Sequence, residues 1–130
     1  MADLRSDRAG EVRLVSGEVY AEDGTKLTVK TAFAQVSSSG DNAFIALVSG
    51  KKIRVLAYRL QSQGTVAVKF QDTTGTPNQL SMLWNLQARE GCVVTAQPGS
   101  FEFESVASQG VEVNLSAAIA VDVQAQYVEV

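Results

Sequence analysis

The chain has 130 residues, 45% of them hydrophobic and 19% charged, with a formal net charge of −3. This length gives one domain that buries roughly two thirds of its unfolded surface, and the lack of an excess of Lys and Arg speaks against a dedicated nucleic-acid binder. The complete absence of His removes the usual general base, the Ser-His-Asp and Cys-His arrangements and most zinc sites. Residues 1–10 read as an arm: Asp3, Arg5, Asp7 and Arg8 surround a lone apolar Leu4, and Ala9-Gly10 offers a joint. Two readings stand for it, a disordered terminus or an extended arm that orders against a partner. It has no apolar stretch and is not a signal peptide.

Residues 11–20 give a broken first strand through Val12, Leu14, Val15, Val19 and Tyr20, and Asp23-Gly24 then marks a hairpin turn. Residues 26–36 alternate, with Leu27, Val29, Thr31, Phe33 and Gln35 on one phase and Thr28, Lys30, Ala32 and Ala34 on the other. A loop is expected over 37–42, followed by a short apolar strand over 43–48. That run, the longest apolar one, is far too short to cross a bilayer, so a soluble chain is expected.

Residues 52–72 organise the rest. Two strand-like runs flank the polar turn at 61–64 and read as a hairpin that another sheet must cover. In the second run Val66, Val68 and Phe70 share one phase. The first run carries Ile53 and Val55 but then shifts to Leu56, Tyr58 and Leu60, which signals a bulge or a strand covered on both faces.

Residues 72–78, with Pro77, form a turn-rich connection. Residues 80–89 have both helical and strand spacing, and their β flanks decide for strand. Further strands are expected over 93–97 and 101–104, separated by Pro98-Gly99. The chain then alternates through Val111, Val113 and Leu115, and again through Ile119, Val121, Val123, Ala125 and Tyr127. The expected architecture is all-β: a two-sheet sandwich or jelly roll of eight or nine short strands over residues 11–130, preceded by the arm. An up-and-down barrel is the alternative.

Little chemistry is on offer. Glu102, Glu104 and Glu112 could form a glycosidase pair, but they sit on polar phases and read as solvated. Asp41, Asn42 and Asp72 lack the dense spacing of a calcium loop. An enzyme is not expected, and neither is a cofactor or metal. Cys92 is alone, so no intramolecular disulfide forms; beside Val93 and Val94 it reads as a small buried apolar residue. Charge is uneven, with nine basic side chains in residues 1–60 and two after them. Lys51, Lys52, Arg54 and Arg59 form the basic cluster: either a solvated strand face, or a subunit contact meeting Glu102, Glu104 and Asp122 of another copy. Trp84, the single Trp, is either core or a subunit or ligand contact.

Two stretches carry a resemblance: GKKIRVLAYRLQSQGTVAVKFQD (residues 50–72) and VEVNLSAAIAVDVQAQYVEV (residues 111–130). They resemble a group of small tailed-phage proteins in which a GKKIRVLSY strand precedes a V-x-VKFQ strand. In that group an LNLSAA segment ending in YVEV closes the chain. Residues 73–105 depart from that pattern, which has a Gly- and Pro-rich Trp-Phe segment there, so no site in them is transferred. The resemblance implies a virion structural protein with a jelly-roll-like fold, of the head decoration or cement type. Such a protein would be made in the host cytoplasm, assemble as a homotrimer and sit on the outer capsid surface against the major capsid protein, with no nucleic-acid or membrane partner. Leu4, Arg5 and Arg8 of the arm would then be capsid contacts. The alternative is a tail- or fibre-tip adhesion module that binds a host surface glycan.

Overall fold

The computed structural model describes residues 19–21, 23–97 and 99–130. The expected arm and most of the expected first strand lie outside these residues. Every regular element among them is a strand. Two-residue strands β1 (Val19–Tyr20) and β2 (Lys26–Leu27) pair around Asp23-Gly24. Gly24 takes φ 90° there, the left-handed backbone such a turn requires.

Eight further strands make two sheets: β3 (Lys30–Val36), β4 (Gly40–Ile45), β5 (Ile53–Ser62), β6 (Val66–Asp72), β7 (Trp84–Leu86), β8 (Gly91–Thr95), β10 (Val111–Leu115) and β11 (Val121–Glu129). One sheet runs β4-β10-β6-β7 and the other β3-β11-β5-β8, with the two-residue β9 (Phe103–Glu104) also on β5. All pairings are antiparallel and they nest. β6 pairs with β7, β5 with β8, β4 with β10 and β3 with β11, alternating between the sheets. One long four-over-four ribbon, rolled so that successive pairs fall in opposite sheets, is the jelly roll.

That topology corrects one expectation. The runs within residues 52–72 are not a hairpin: β5 lies between β11 and β8, and β6 between β10 and β7 in the opposite sheet. The short turn at 63–65 carries the chain across the sandwich, because both runs have an apolar face to bury and they bury it against each other. β4 also begins three residues earlier than expected and stops at Ile45, leaving Leu47 exposed. Residues 80–89 are strand only over Trp84–Leu86.

The core is the inward phase of all eight strands. Phe70, fully buried, stacks edge-on to Tyr58 of the other sheet at 4.8 Å, with Phe103 at 5.3 Å and Phe44 at 6.1 Å. Val66, Val68, Val111, Val113, Leu115, Val121 and Val123 fill the layers around this cluster, as their alternation predicts. The phase shift in β5 is a bulge. Gln126 pairs with Ala57 and Tyr127 with Val55, so Leu56 has no partner across β11. Buried polar groups are satisfied: Ser62 Oγ donates to the Gln87 carbonyl at 2.7 Å, and Ser105 Oγ accepts from the Ile53 amide at 2.9 Å.

Asp72, fully buried, closes the turn-rich connection. Its Oδ1 accepts from the Asn78 amide (2.9 Å) and from the Thr74 hydroxyl (2.9 Å), and its Oδ2 accepts from Asn78 Nδ2 (2.8 Å). Burial alone pushes this carboxyl upward, but the hydrogen bonds from Asn78 and Thr74 together outweigh it and hold the pKa below the usual carboxylate value.

Two expectations follow. β11 lies between β3 and β5, so deleting residues 124–130 unpairs both neighbours; the truncated chain should show no cooperative melt by circular dichroism. Asp72→Ala should lower stability at neutral pH by about 2–4 kcal/mol, since it leaves several buried donors unpaired. The folded pKa lies below the unfolded one, so this contribution is complete above roughly pH 4 and fades as pH falls through the folded value. The gap between the denaturant melts of the two proteins should therefore narrow in acid.

Candidate functional site

Alternation along a strand sends every second side chain away from the core, so each sheet presents an outer face. The two outer faces differ. On β4-β10-β6 the carboxylates and the amides of Gln71 and Asn114 close on one another. Gln71 Nε2 donates to both Asp41 and Glu112, and Asn114 Nδ2 donates to Asp41 at 2.7 Å. Asn42 is likewise occupied, its amide bonding the carbonyls of Ser38, Gly40 and Val113.

The outer face of β3-β11-β5-β8 is hollowed into a trough of about 730 Å³. Strand register places its rows. Phe33, Gln124, Arg59 and Val93 lie abreast, and Gln35, Asp122, Gln61 and Gly91 form the next row. Phe33 and Val93, each 70% exposed, stand at the two sides. Three interstrand steps separate them, roughly 14 Å. Gly91 keeps the floor low: a Cβ there would collide with the Leu60 carbonyl oxygen, so β8 approaches β5 closely only with glycine at this position. Asp122 accepts from Gln35 Nε2 at 3.1 Å. Arg59 makes no ion pair or hydrogen bond through its side chain among the described residues. Cys92, half-buried rather than fully buried as expected, lies in the floor, and burial pushes its thiol up, favouring the protonated form.

The basic cluster does not act as one unit. Glu104 takes two of its members: Arg54 Nη2 at 3.0 Å, with Arg54 Nε donating to the same oxygen at 3.0 Å, and Lys52 Nζ at 3.5 Å. The guanidinium of Arg54 also lies 4.3 Å from the Phe101 ring centroid. Glu104 is thus engaged within its own chain, and Glu112 belongs to the other sheet. Lys51 is exposed on the turn after Val48. The Leu56 bulge keeps Arg54 and Arg59 on the same outer face despite their odd spacing, so Arg59 alone of the four lines the trough. Trp84 is elsewhere. It is half-buried in the opposite sheet, packs on the core, and its Nε1 donates to the Tyr58 hydroxyl at 3.1 Å. Leu4, Arg5 and Arg8 lie outside the described residues.

Sequence reasoning missed the trough because its walls come from four strands that are distant in the chain. A signal was present in the bulky Phe33, which shares a phase with Thr31 and Gln35 while the small Ala32 and Ala34 take the core side. No protein-family model matches the chain, and no curated protein matches it.

Glu104→Gln should lower stability by about 1 kcal/mol by releasing Arg54 and Lys52. Arg59→Gln should leave it unchanged within about 0.5 kcal/mol, because no ion pair or side-chain hydrogen bond among the described residues is lost. Paired thermal melts read the difference.

Proposed function

We propose that the protein is a structural component of a tailed-phage virion, a head decoration protein that binds the outer capsid as a homotrimer and stabilises the shell. The observation that carries the reading is where the resembling segments fall. Residues 50–72 and 111–130 supply β5, β6, β10 and β11, the two inner strands of each sheet. The segment that departs from the phage pattern, residues 73–105, supplies the rim strands β7, β8 and β9. The likeness therefore runs through the load-carrying frame of the fold and leaves the rim free to vary.

Such a role needs surface rather than chemistry. Among the described residues the outermost strands β3, β4, β7 and β8 each have one edge without a partner strand, and edges of this kind are commonly covered in oligomers. At one end, the turns at 48–51 and 106–109 are joined by Ser108, whose amide donates to the Lys51 carbonyl and whose hydroxyl accepts from the Gly50 amide. Leu47 and Val106 are about half exposed beside them, which makes an apolar and basic patch with Lys51. This patch and the arm residues Leu4, Arg5 and Arg8 are the proposed contacts with subunits and shell. Adding buried area across capsomer boundaries would resist the pressure of packaged DNA.

Sedimentation should give a trimer at micromolar concentration, and capsids lacking this protein should bind it in a fixed copy number. Removal of residues 1–9 should leave the trimer folded and weaken that binding, because three arms act together. A stable monomer that ignores capsids would refute the proposal.

A further inference from the structure

We infer that the trough on the β3-β11-β5-β8 face is a binding site for an acidic saccharide, one bearing a uronic- or sialic-type carboxylate. This is independent of where the protein sits in a virion. Arg59 is the anchor. It projects from the central row with no ionic partner among the described residues, and its planar fork suits a carboxylate bidentately. Beside it, the side-chain amides of Gln124 and Gln61 make no hydrogen bond among the described residues. They offer both donors and acceptors to ring hydroxyls. Phe33, 70% exposed at the trough's side, presents an apolar surface on which the C–H face of a sugar ring can lie.

The shape and chemistry disfavour the other occupants. A second copy presenting the same face would meet hollow with hollow and leave the volume unfilled. An extended peptide binds a sheet through its ladder, at an edge strand, whereas this trough crosses the sheet over side chains. On the opposite outer face, in contrast, the carboxylates and amides are already joined to one another among the described residues, which leaves the Lys69 ammonium there without free side-chain amides beside it.

The test is calorimetric titration of the full chain with oligogalacturonate and with sialyllactose, against neutral maltooligosaccharide. At least one acidic probe should bind, more weakly as salt rises, and the neutral probe should not. Arg59→Gln and Phe33→Ser, both at exposed positions, should each weaken binding roughly tenfold or more while leaving the melting temperature in place. Amide shifts of Gln61, Gln124 and Val93 in NMR spectra should move on titration. Failure of both acidic probes to bind, equal binding of the neutral one, or binding indifferent to Arg59→Gln would overturn the assignment. So would dissociation of an oligomer by either substitution, which would make the trough a subunit contact.

Discussion

Phe70 sits where the two sheets meet, and the fold depends on its contact with Tyr58. β5 and β6 are neighbours in the chain but belong to opposite sheets, so their facing side chains hold the layers together. An edge-to-face aromatic pair contributes about 0.5–1.5 kcal/mol beyond its buried area. Burying a phenol also demands a partner for its hydroxyl, and Trp84 from the rim strand β7 supplies it. Burial pushes the Tyr58 phenol up, so it stays protonated in the core. The contact thereby links three strands: two central ones and one at the rim.

From this centre the outer surfaces acquire different characters. Valines on the inward phase commit the outward phase to polar residues, but what those residues do depends on their cross-strand neighbours. On one sheet, Gln71 lies across from Glu112 and close to Asp41, and its amide donates to both carboxylates. On the other, Arg59 lies across from Gln124 and Val93, and no carboxylate among the described residues pairs with it. Among the described residues one face has its carboxylates bound to neighbouring amides and the other leaves Arg59 without an ionic partner, although both derive from the same alternation.

The inner strands were legible because both of their faces are constrained. Val66, Val68, Phe70, Val111, Val113 and Leu115 alternate cleanly, and the broken phase at Leu56 left a bulge and a doubly covered strand open until the register decided for the bulge. What sequence could not reveal was pairing: a hairpin and a crossover between sheets share the same two alternating runs and the same short polar turn. Nor does alternation say which phase is inward. Phe33 looks like a core residue beside Ala32 and Ala34, yet the thin alanine side packs inward and the ring points out. At residues 43–48 the apolar run extends past the ladder, and only the sheet partner β10 determines where β4 begins. The trough required the register of four strands at once, which local pattern does not contain.

The nested pairing has a kinetic consequence. β6 can reach β7 by closing a loop of modest length, but β3 meets β11 only after Val36 finds Val121, most of the chain away. Loop-closure entropy therefore favours pairing from the innermost turn outward. The rate should resemble that of other proteins dominated by distant contacts, milliseconds to seconds rather than microseconds. During synthesis β3 and β5 emerge long before β11, the strand that fills the space between them. Until it arrives, each has an unpaired edge that another nascent chain could occupy.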